Sequence, residues 1–199
     1  NSQDRLDISS GVTLTASTVM TLEATTGGIV RAGTLTLSAK AGIYITDDRT
    51  ASASARAPGM NADADSANSN GTLTVASTKT VTSNEGDVMI TAWDVDMAGS
   101  LTAGTKSITI HGAEATQTIS VGAGSGNMVV ADAELGRATA EGGLTIGSST
   151  SGSISVAGVT NGNSDAVSTV SLVATKDAAT VSFETTASTF NKGIIVQAM

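Results

Sequence analysis

Hydrophobic residues in the first quarter of the chain alternate with polar ones in short pairs, and the two members of each pair stand two positions apart. Shifting the sequence by 23 positions superimposes the first two pairs on the next two. These pairs are Val12/Leu14 and Met20/Leu22, followed by Leu35/Leu37 and Ile43/Ile45. A period of two is typical of strands with one buried face, and a repeat of about 20 to 50 residues is typical of solenoids. The pattern therefore predicts stacked coils of short strands.

The same alternation returns later in the chain and continues to its last residues. Steps of 20 positions separate Val88, Ile108 and Met128. Asn-Gly turns, which favour antiparallel hairpins, occur only twice. Parallel strands joined by corners therefore explain the pattern better than a meander, and such crossovers are right-handed. We predict a single all-β domain over residues 1–199, a right-handed parallel β-helix (β-solenoid) of roughly eight coils.

Residues 47–70 interrupt this pattern. They are rich in Ala, Ser, Asn and Asp, they show no period of two, and they contain the one proline of the chain, Pro58. Insertions in solenoid proteins map to loops on the flank of the coils. We therefore predict a long loop insertion over residues 47–70.

Aromatic residues make up 2% of the chain, although 40% of it is hydrophobic. A core of small aliphatic side chains fits stacked layers, whereas aromatic residues supply much of the burial in ordinary globules. Two immunoglobulin-like β-sandwiches are the alternative fold, because short strands about every 8–12 residues are also typical of them. Against this alternative, Trp93 is the one tryptophan and Tyr44 the one tyrosine, so the two halves cannot each have the usual sandwich core.

The formal net charge of −8 argues against nucleic acid as a partner, because nucleic-acid binding requires clustered Lys and Arg. The sequence has no run of about 18 apolar residues that would span a membrane. It has no cysteine, which rules out disulfides and thiolate metal sites. No motif of a nucleophile, zinc or phosphate site is present, and His111 is the single histidine. These features indicate a protein that is not an enzyme.

Two acidic groups are candidates for binding Ca²⁺, which takes several oxygen ligands. The candidate residues are Asp87, Asp94, Asp96, Asp63 and Asp65. Asp94 and Asp96 alternate with apolar residues of one strand, which places both carboxylates on one face about 7 Å apart. That separation also suits the acid pair of a glycosidase, but no cluster of basic residues accompanies it to hold an acidic sugar. Solvated acidic side chains without a ligand are the alternative for both groups.

Threonine residues alternate with apolar residues in three of the short strands. They are Thr13, Thr15, Thr34, Thr36, Thr72 and Thr74. A flat stack of such pairs resembles the ice-binding surface of antifreeze β-solenoids, whereas ordinary exposed strands are also rich in Thr. The triplet Asn70-Gly71-Thr72 is an N-glycosylation sequon, which makes Asn70 a candidate acceptor.

The elements GTLTL at residues 33–37 and GTLTV at residues 71–75 resemble the repeats of filamentous-haemagglutinin-type adhesins and related surface proteins. The resemblance spans residues 8–46 and 71–156 and consists of small and apolar positions. It implies a right-handed parallel β-helix, an extracellular or cell-surface location, and a structural, adhesive or filament-forming role. Glycans or another surface are the partners that it implies.

Residues 194–199 are almost entirely apolar and provide no polar cap, whereas the open end of a solenoid needs a cap or a neighbour. We therefore expect the chain to be a segment of a longer protein or to dock end to end on another copy of itself. The expected function is that of an extracellular structural protein without catalytic activity, and without a cofactor other than Ca²⁺. An ice-binding β-solenoid and a polysaccharide-active β-helix enzyme are the alternatives.

Overall fold

Short parallel strands separated by corners build the first four coils of the chain. The computed structural model describes residues 4–51, 57–67 and 69–199. The first coil contains β1 (Leu6–Ile8), β2 (Val12–Ala16) and β3 (Met20–Leu22), and the second contains β4 (Ile29–Arg31), β5 (Leu35–Ala39) and β6 (Ile43–Ile45). The third contains β7 (Arg49–Ala51), β8 (Pro58–Asn61) and β9 (Thr72–Val75), and the fourth contains β10 (Thr80–Thr82), β11 (Val88–Ala92) and β12 (Asp94–Met97).

The later coils are less regular. The fifth contains β13 (Ser100–Gly104), β14 (Ile108–Gly112), β15 (Ile119–Gly122), β16 (Met128–Val130) and the short helix α1 (Asp132–Leu135). The sixth contains β17 (Ala138–Ala140), β18 (Leu144–Ser148) and β19 (Ile154–Ala157), followed by a 3-10 turn at Asn161–Ser164. The last strands are β20 (Thr169–Ala174), β21 (Val181–Phe183) and β22 (Gly193–Ala198).

Equivalent strands of successive coils pair side by side in four sheets. Sheet A has the order β1-β4-β7-β10-β13-β17, sheet B β2-β5-β8-β11-β14-β18-β20-β22, sheet C β12-β9-β6-β3, and sheet D β16-β15-β19-β21. Every ladder between the described strands is parallel. Because β-sandwiches are antiparallel, the alternative fold is wrong and the predicted parallel β-helix is confirmed. The eight strands of sheet B agree with the roughly eight predicted coils.

The register of the first two coils follows the 23-residue repeat. Val12 aligns with Leu35 in the ladder between β2 and β5, and Met20 aligns with Ile43 in the ladder between β3 and β6. Leu35 and Ile43 are buried, whereas Thr36, which alternates with the inward residues of β5, is exposed. The repeat of apolar positions therefore continues as a ladder of inward side chains, and these ladders form the core.

The segment predicted as a loop, residues 47–70, contains two strands of the solenoid. The strand β7 joins sheet A, and β8 joins sheet B, where Pro58 aligns with Leu35 and Met60 with Leu37. Met60 is 2% exposed. The 23-residue step therefore continues through Pro58, which is tolerated because it is the first residue of its strand. The loop prediction is wrong for Arg49–Ala51 and Pro58–Asn61, while residues 52–56 and 68 lie outside the described part of the chain.

The fifth coil contains an additional strand, β16, which changes the solenoid locally. Ile119 of β15 aligns with Met128 of β16, so only nine positions separate these two paired strands. The strand β16 also contacts β12, and α1 follows it directly. Together, β12, β16 and α1 frame the cavity described below.

Candidate functional site

The strand β22 lies at one edge of sheet B, and all six of its residues are exposed. Its residue Ile194 aligns with Val170 on β20, and Val196 aligns with Leu172. Val170 and Leu172 are buried inward residues. Ile194 and Val196 thus continue the core ladders, yet they are 38% and 44% exposed, because no strand in the described part of the chain covers them.

The strand β2 lies at the opposite edge of sheet B. Its inward residues Val12, Leu14 and Ala16 are half-buried. They follow the same order of side chains as those of β22, with two larger aliphatic residues and then an alanine, Ala198. An edge strand presents unpaired backbone N–H and C=O groups that pair with a further strand. The two edges of sheet B are therefore similar surfaces that face opposite ways along the stack.

A cavity of about 510 Å³ lies between sheet C and α1. Its lining residues are Tyr44, Thr72, Thr74, Asp94, Val95, Asp96, Val129, Ala131 and Glu134. The carboxylate of Asp94 accepts a hydrogen bond from the Val129 amide at 2.9 Å. Burial raises the pKa of Asp94, and the charge of Asp96 raises it further, while the amide hydrogen bonds lower it. Asp94 thus links β12 to β16 through its side chain.

Glu134 is the acidic residue of this cavity that the sequence analysis missed. Its Oε1 accepts a hydrogen bond from the Met97 amide at 2.8 Å, and its Oε2 accepts one from the Ala131 amide at 2.8 Å. Burial raises the pKa of Glu134 despite these two donors. Since both oxygens are bound to backbone amides, Glu134 fixes α1 against β12. Nothing in the local sequence marks it, because Ala131, the residue before α1, is not a typical N-cap.

The Asp94–Asp96 pair considered for glycoside cleavage is thus not a pair of equivalent carboxylates. The hydrogen bond from Val129 assigns Asp94 a structural role, and Asp96 lies on the exposed side of β12. A general acid and a nucleophile would both need to reach the sugar. Both carboxylates line the cavity, and the enzyme alternative stays a prediction.

Asp87 lies apart from the cavity. Its Oδ1 accepts hydrogen bonds from the Ser107 amide at 3.0 Å and the Ser107 hydroxyl at 2.6 Å, and these bonds lower its pKa. Asp87 therefore links two successive coils. In the ranges that the structure describes, no three His, Cys, Asp or Glu side chains converge so as to hold a metal ion.

Asp63 and Asp65 lie in the turn between β8 and β9. Asp63 is fully buried, and neither of its carboxylate oxygens has a hydrogen-bond partner among the described residues. Burial, above all, raises the pKa of Asp63 to about 6; the nearby carboxyl of Asp65 and the charge of Glu114 also raise it, and the nearby Ala67 amide lowers it. Asp65 lies 3.9 Å from the ammonium group of Lys40 and is partly exposed.

Asn70, the sequon residue, lies at the other end of this turn. Its Oδ1 is buried and has no hydrogen-bond partner within the described part of the chain. Gly71 follows it in a left-handed conformation with φ of +99°, and a Cβ at Gly71 would lie 2.4 Å from the Cβ of Asp63. Asn70 as a whole is half-buried, and its role as a glycan acceptor stays a prediction.

The six predicted surface threonines do not lie on one face. Thr13 and Thr36 are neighbours on the outward side of sheet B, whereas Thr72 and Thr74 belong to β9 in sheet C, beside Asp94 and Asp96. Thr15 pairs with Ser38 on sheet B, and Thr34 precedes β5. The outward row that begins with Thr13 and Thr36 continues with Gly59 and then Met89. A regular Thr array, which an ice-binding surface would need, is therefore interrupted.

His111 has a local structural role. Its ring nitrogens lie 3.1 Å from the Thr91 hydroxyl and 2.9 Å from the Gly112 carbonyl oxygen. Thr91 lies on β11 and Gly112 on β14, which are neighbouring strands of sheet B.

Comparison of the chain with protein-family models, with curated proteins and with solved structures finds no match. Its function must therefore be argued from its own residues. Of the helices in the described ranges, none has the length and apolar character needed to cross a membrane.

Proposed function

We propose that this chain is a structural β-solenoid that assembles end to end with further copies of itself. The filament-forming or adhesive role and the extracellular location implied by the resemblance to surface adhesins are part of this proposal. The observation that carries it is the similarity between the two edges of sheet B, where β2 and β22 offer the same order of inward side chains.

The register of such a contact follows from the ladders within the chain. Each inward residue of sheet B aligns with an inward residue of the next coil, as Val170 aligns with Ile194. A second copy placed by translation along the stack would set its Val12 against Ile194 and its Leu14 against Val196. Backbone hydrogen bonds and burial of the exposed ladder ends would then both favour the contact.

This contact joins the β22 edge of one copy to the β2 edge of the next. Every assembly therefore keeps a free β2 edge at one end and a free β22 edge at the other. Contacts of this head-to-tail type produce open filaments unless a rotation closes them into a ring. With strands spaced about 4.8 Å apart, the eight strands of sheet B give an axial repeat of roughly 38 Å per copy.

The edge strands also lack the features that usually prevent such pairing. Natural edge strands are protected by charged residues, proline or bulges. The strand Gly193–Ala198 has no charged residue and no proline, and the same holds for Val12–Ala16. Pairing with another chain is therefore not opposed at either edge.

The proposal is tested by substituting one inward residue of β22 and, as a matched control, its outward neighbour. Val196→Lys places a charge in the ladder that the second copy would cover, whereas Ile195→Lys places the same charge on the outward face, where Ile195 is 50% exposed. Negative-stain electron microscopy and light scattering at increasing concentration would follow the assembly.

We expect filaments of constant width from the original chain and from Ile195→Lys, and monomers from Val196→Lys. Monomers of the original chain at high concentration would overturn the proposal. The same would hold if both lysine variants assembled equally well, since the contact would then not use the inward face of β22. Ice-growth and glycan-binding assays would be the next measurements in that case.

A further inference from the structure

The chain contains two Asn-Gly dipeptides, Asn70-Gly71 and Asn161-Gly162. The backbone nitrogen that follows an asparagine can attack the side-chain carbonyl carbon of that asparagine, because the two atoms close a five-membered ring. Glycine favours this attack, since it has no Cβ to crowd the nitrogen and adopts the widest range of backbone angles. The sequence makes the two dipeptides equivalent, whereas the fold gives them different surroundings.

Asn161 is the first residue of the 3-10 turn Asn161–Ser164. Both Asn161 and Gly162 are exposed. A Cβ built on Gly162 would meet no atom within 4 Å, so the space around this residue is open. The first amides of a helical turn have no acceptor within the turn. The Gly162 nitrogen, in the second residue of the turn, is therefore available as a nucleophile.

The side chain of Asn161 contacts the segment that leads into the last strand. Its Oδ1 accepts a hydrogen bond from Nδ2 of Asn191 at 3.1 Å. A donor at this oxygen withdraws electrons from the neighbouring carbon and stabilises the negative charge that develops when the carbon is attacked. The Asn191 amide also donates to the Ser164 hydroxyl oxygen at 2.9 Å. The exposed dipeptide thus has its electrophile polarised by a neighbouring coil.

Asn70 lies in more restrictive surroundings. Its Oδ1 is buried and has no hydrogen-bond partner in the ranges that the structure describes, and negative charge on such an oxygen is costly. Gly71 has φ of +99° and lies against Asp63, since a Cβ on Gly71 would be 2.4 Å from the Asp63 Cβ. The Gly71 carbonyl accepts a hydrogen bond from the Trp93 amide at 3.1 Å. Rotation into the geometry of ring closure is therefore hindered at this dipeptide.

We infer that Asn161 is a site of spontaneous deamidation and that Asn70 is protected from it by the fold. The Gly162 nitrogen forms a bond to Cγ of Asn161 and loses its proton to water, and the side-chain nitrogen leaves as ammonia. Water then adds to either carbonyl carbon of the resulting succinimide and breaks its bond to the ring nitrogen. The products are aspartate and isoaspartate, and water is the only co-reactant.

The modification changes the turn in two ways. Each product adds one negative charge to a chain whose formal net charge is already −8. Isoaspartate also lengthens the backbone of the turn by one methylene group. The inference does not rest on the proposed end-to-end assembly, because Asn161 and Gly162 lie outside β2 and β22.

Incubation of the folded full chain in mildly alkaline buffer would test the inference, with peptide mapping by mass spectrometry and assay of isoaspartate as readouts. Gly162→Ala is the test variant, because its Cβ crowds the attacking nitrogen but meets no other group of the fold. The same chain unfolded in denaturant is the matched control, since both dipeptides are then free of their surroundings.

We expect deamidation at Asn161 to be about tenfold or more faster than at Asn70 in the folded chain, and the two rates to become similar in denaturant. Gly162→Ala should slow the reaction at Asn161 by about tenfold or more. The inference would be overturned if Asn161 stayed intact in the folded chain, if Asn70 reacted there as fast as Asn161, or if Gly162→Ala left the rate at Asn161 unchanged.

Discussion

Arg31 and Arg49 point into the same core from neighbouring coils. In the ladder between β4 and β7, Arg49 aligns with Ile29, which lies two positions before Arg31 on β4. Both arginines are 0% exposed. Arg31 donates from Nη1 to the Gly33 carbonyl at 2.5 Å and from Nη2 to the Ser83 carbonyl at 2.7 Å. The three guanidinium nitrogens of Arg49 have no hydrogen-bond partner among the residues that the structure describes.

Replacing Arg49 by methionine should therefore stabilise the fold. Burial and the charge of Arg31 lower the pKa of Arg49 to about 9, so the group is still protonated at neutral pH and its charge is uncompensated. Exchange of buried charges for apolar side chains of similar volume stabilises some proteins by about 1 to 4 kcal/mol. Chemical denaturation of Arg49→Met at pH 7 should show an increase of this size in the free energy of unfolding.

Arg31→Met is the matched control for this measurement. It removes the same charge but leaves the carbonyl groups of Gly33 and Ser83 without their donor, so we expect a loss of about 1 to 3 kcal/mol. If both variants were destabilised equally, Arg49 would have a partner in the folded protein and the predicted difference between the arginines would be wrong.

Met60→Ala should show that residues 58–61 belong to the core. Met60 is 2% exposed on β8, and truncation of a buried methionine costs about 2–5 kcal/mol. Met89 on the neighbouring strand β11 is 55% exposed, so Met89→Ala should change stability by less than about 0.5 kcal/mol. Equal effects of the two substitutions in chemical denaturation would contradict the placement of β8 in sheet B.

The raised pKa of Asp63 gives its charge a measurable pH dependence in calcium-free buffer. Between the ordinary pKa of 3.8 and about 6 the folded state binds more protons than the unfolded state, so Asp63 reduces stability as the pH rises through this window. Asp63→Asn lacks this effect. We expect the variant to be more stable than the original chain at pH 7, by about 1.4 kcal/mol for each unit of raised pKa, and equally stable near pH 4.

Comparing the two proteins at each pH removes the contribution of other carboxylates, such as Asp87, whose pKa is lowered in the fold. Those groups lose their stabilising effect as the pH falls, in both proteins alike. A difference in stability that is the same at pH 4 and pH 7 would show that Asp63 does not titrate in this window.

Glu134→Ala should loosen α1 without unfolding the first four coils. The substitution removes the acceptor of the Met97 and Ala131 amides, and leaving such buried groups unpaired costs about 1–3 kcal/mol. Hydrogen exchange should be faster at these two amides. Asp96→Ala, on the exposed side of β12, is the control and should leave their protection unchanged. Unaltered exchange in Glu134→Ala would mean that α1 is held by other contacts.

The sequence could predict the coils because their physical cause is local and repeated. Val12 and Leu35 occupy the same place in successive coils, so a shift of 23 positions reveals the register directly. The same shift leads from Leu37 to Met60, and this signal was present in the segment predicted as a loop. Pro58 and the small polar residues around it concealed the strand, since local composition there is typical of a loop.

The candidate sites were less predictable, because hydrogen bonds between distant residues decide what each acidic side chain does. Asp63 and Asp94 are the same residue type, and each is followed two positions later by another aspartate. Only the fold gives Asp94 the amide of Val129, 35 positions away, and leaves Asp63 without a donor among the described residues. Arg31 shows the same point, since its acceptor Ser83 lies 52 positions further along the chain.

The sequence alone thus determined that this chain folds into stacked parallel coils with a core of small aliphatic side chains, because alternation and repetition are properties of neighbouring residues. The tertiary structure decided which threonines share a face, which arginines are buried, and which carboxylates are compensated. These outcomes depend on contacts between successive coils, where the partner of a side chain is set by the length of every corner between them. The number of residues per coil varies along the chain, and composition does not give it. The hydrogen-bond partner of each side chain is therefore known only from the folded structure.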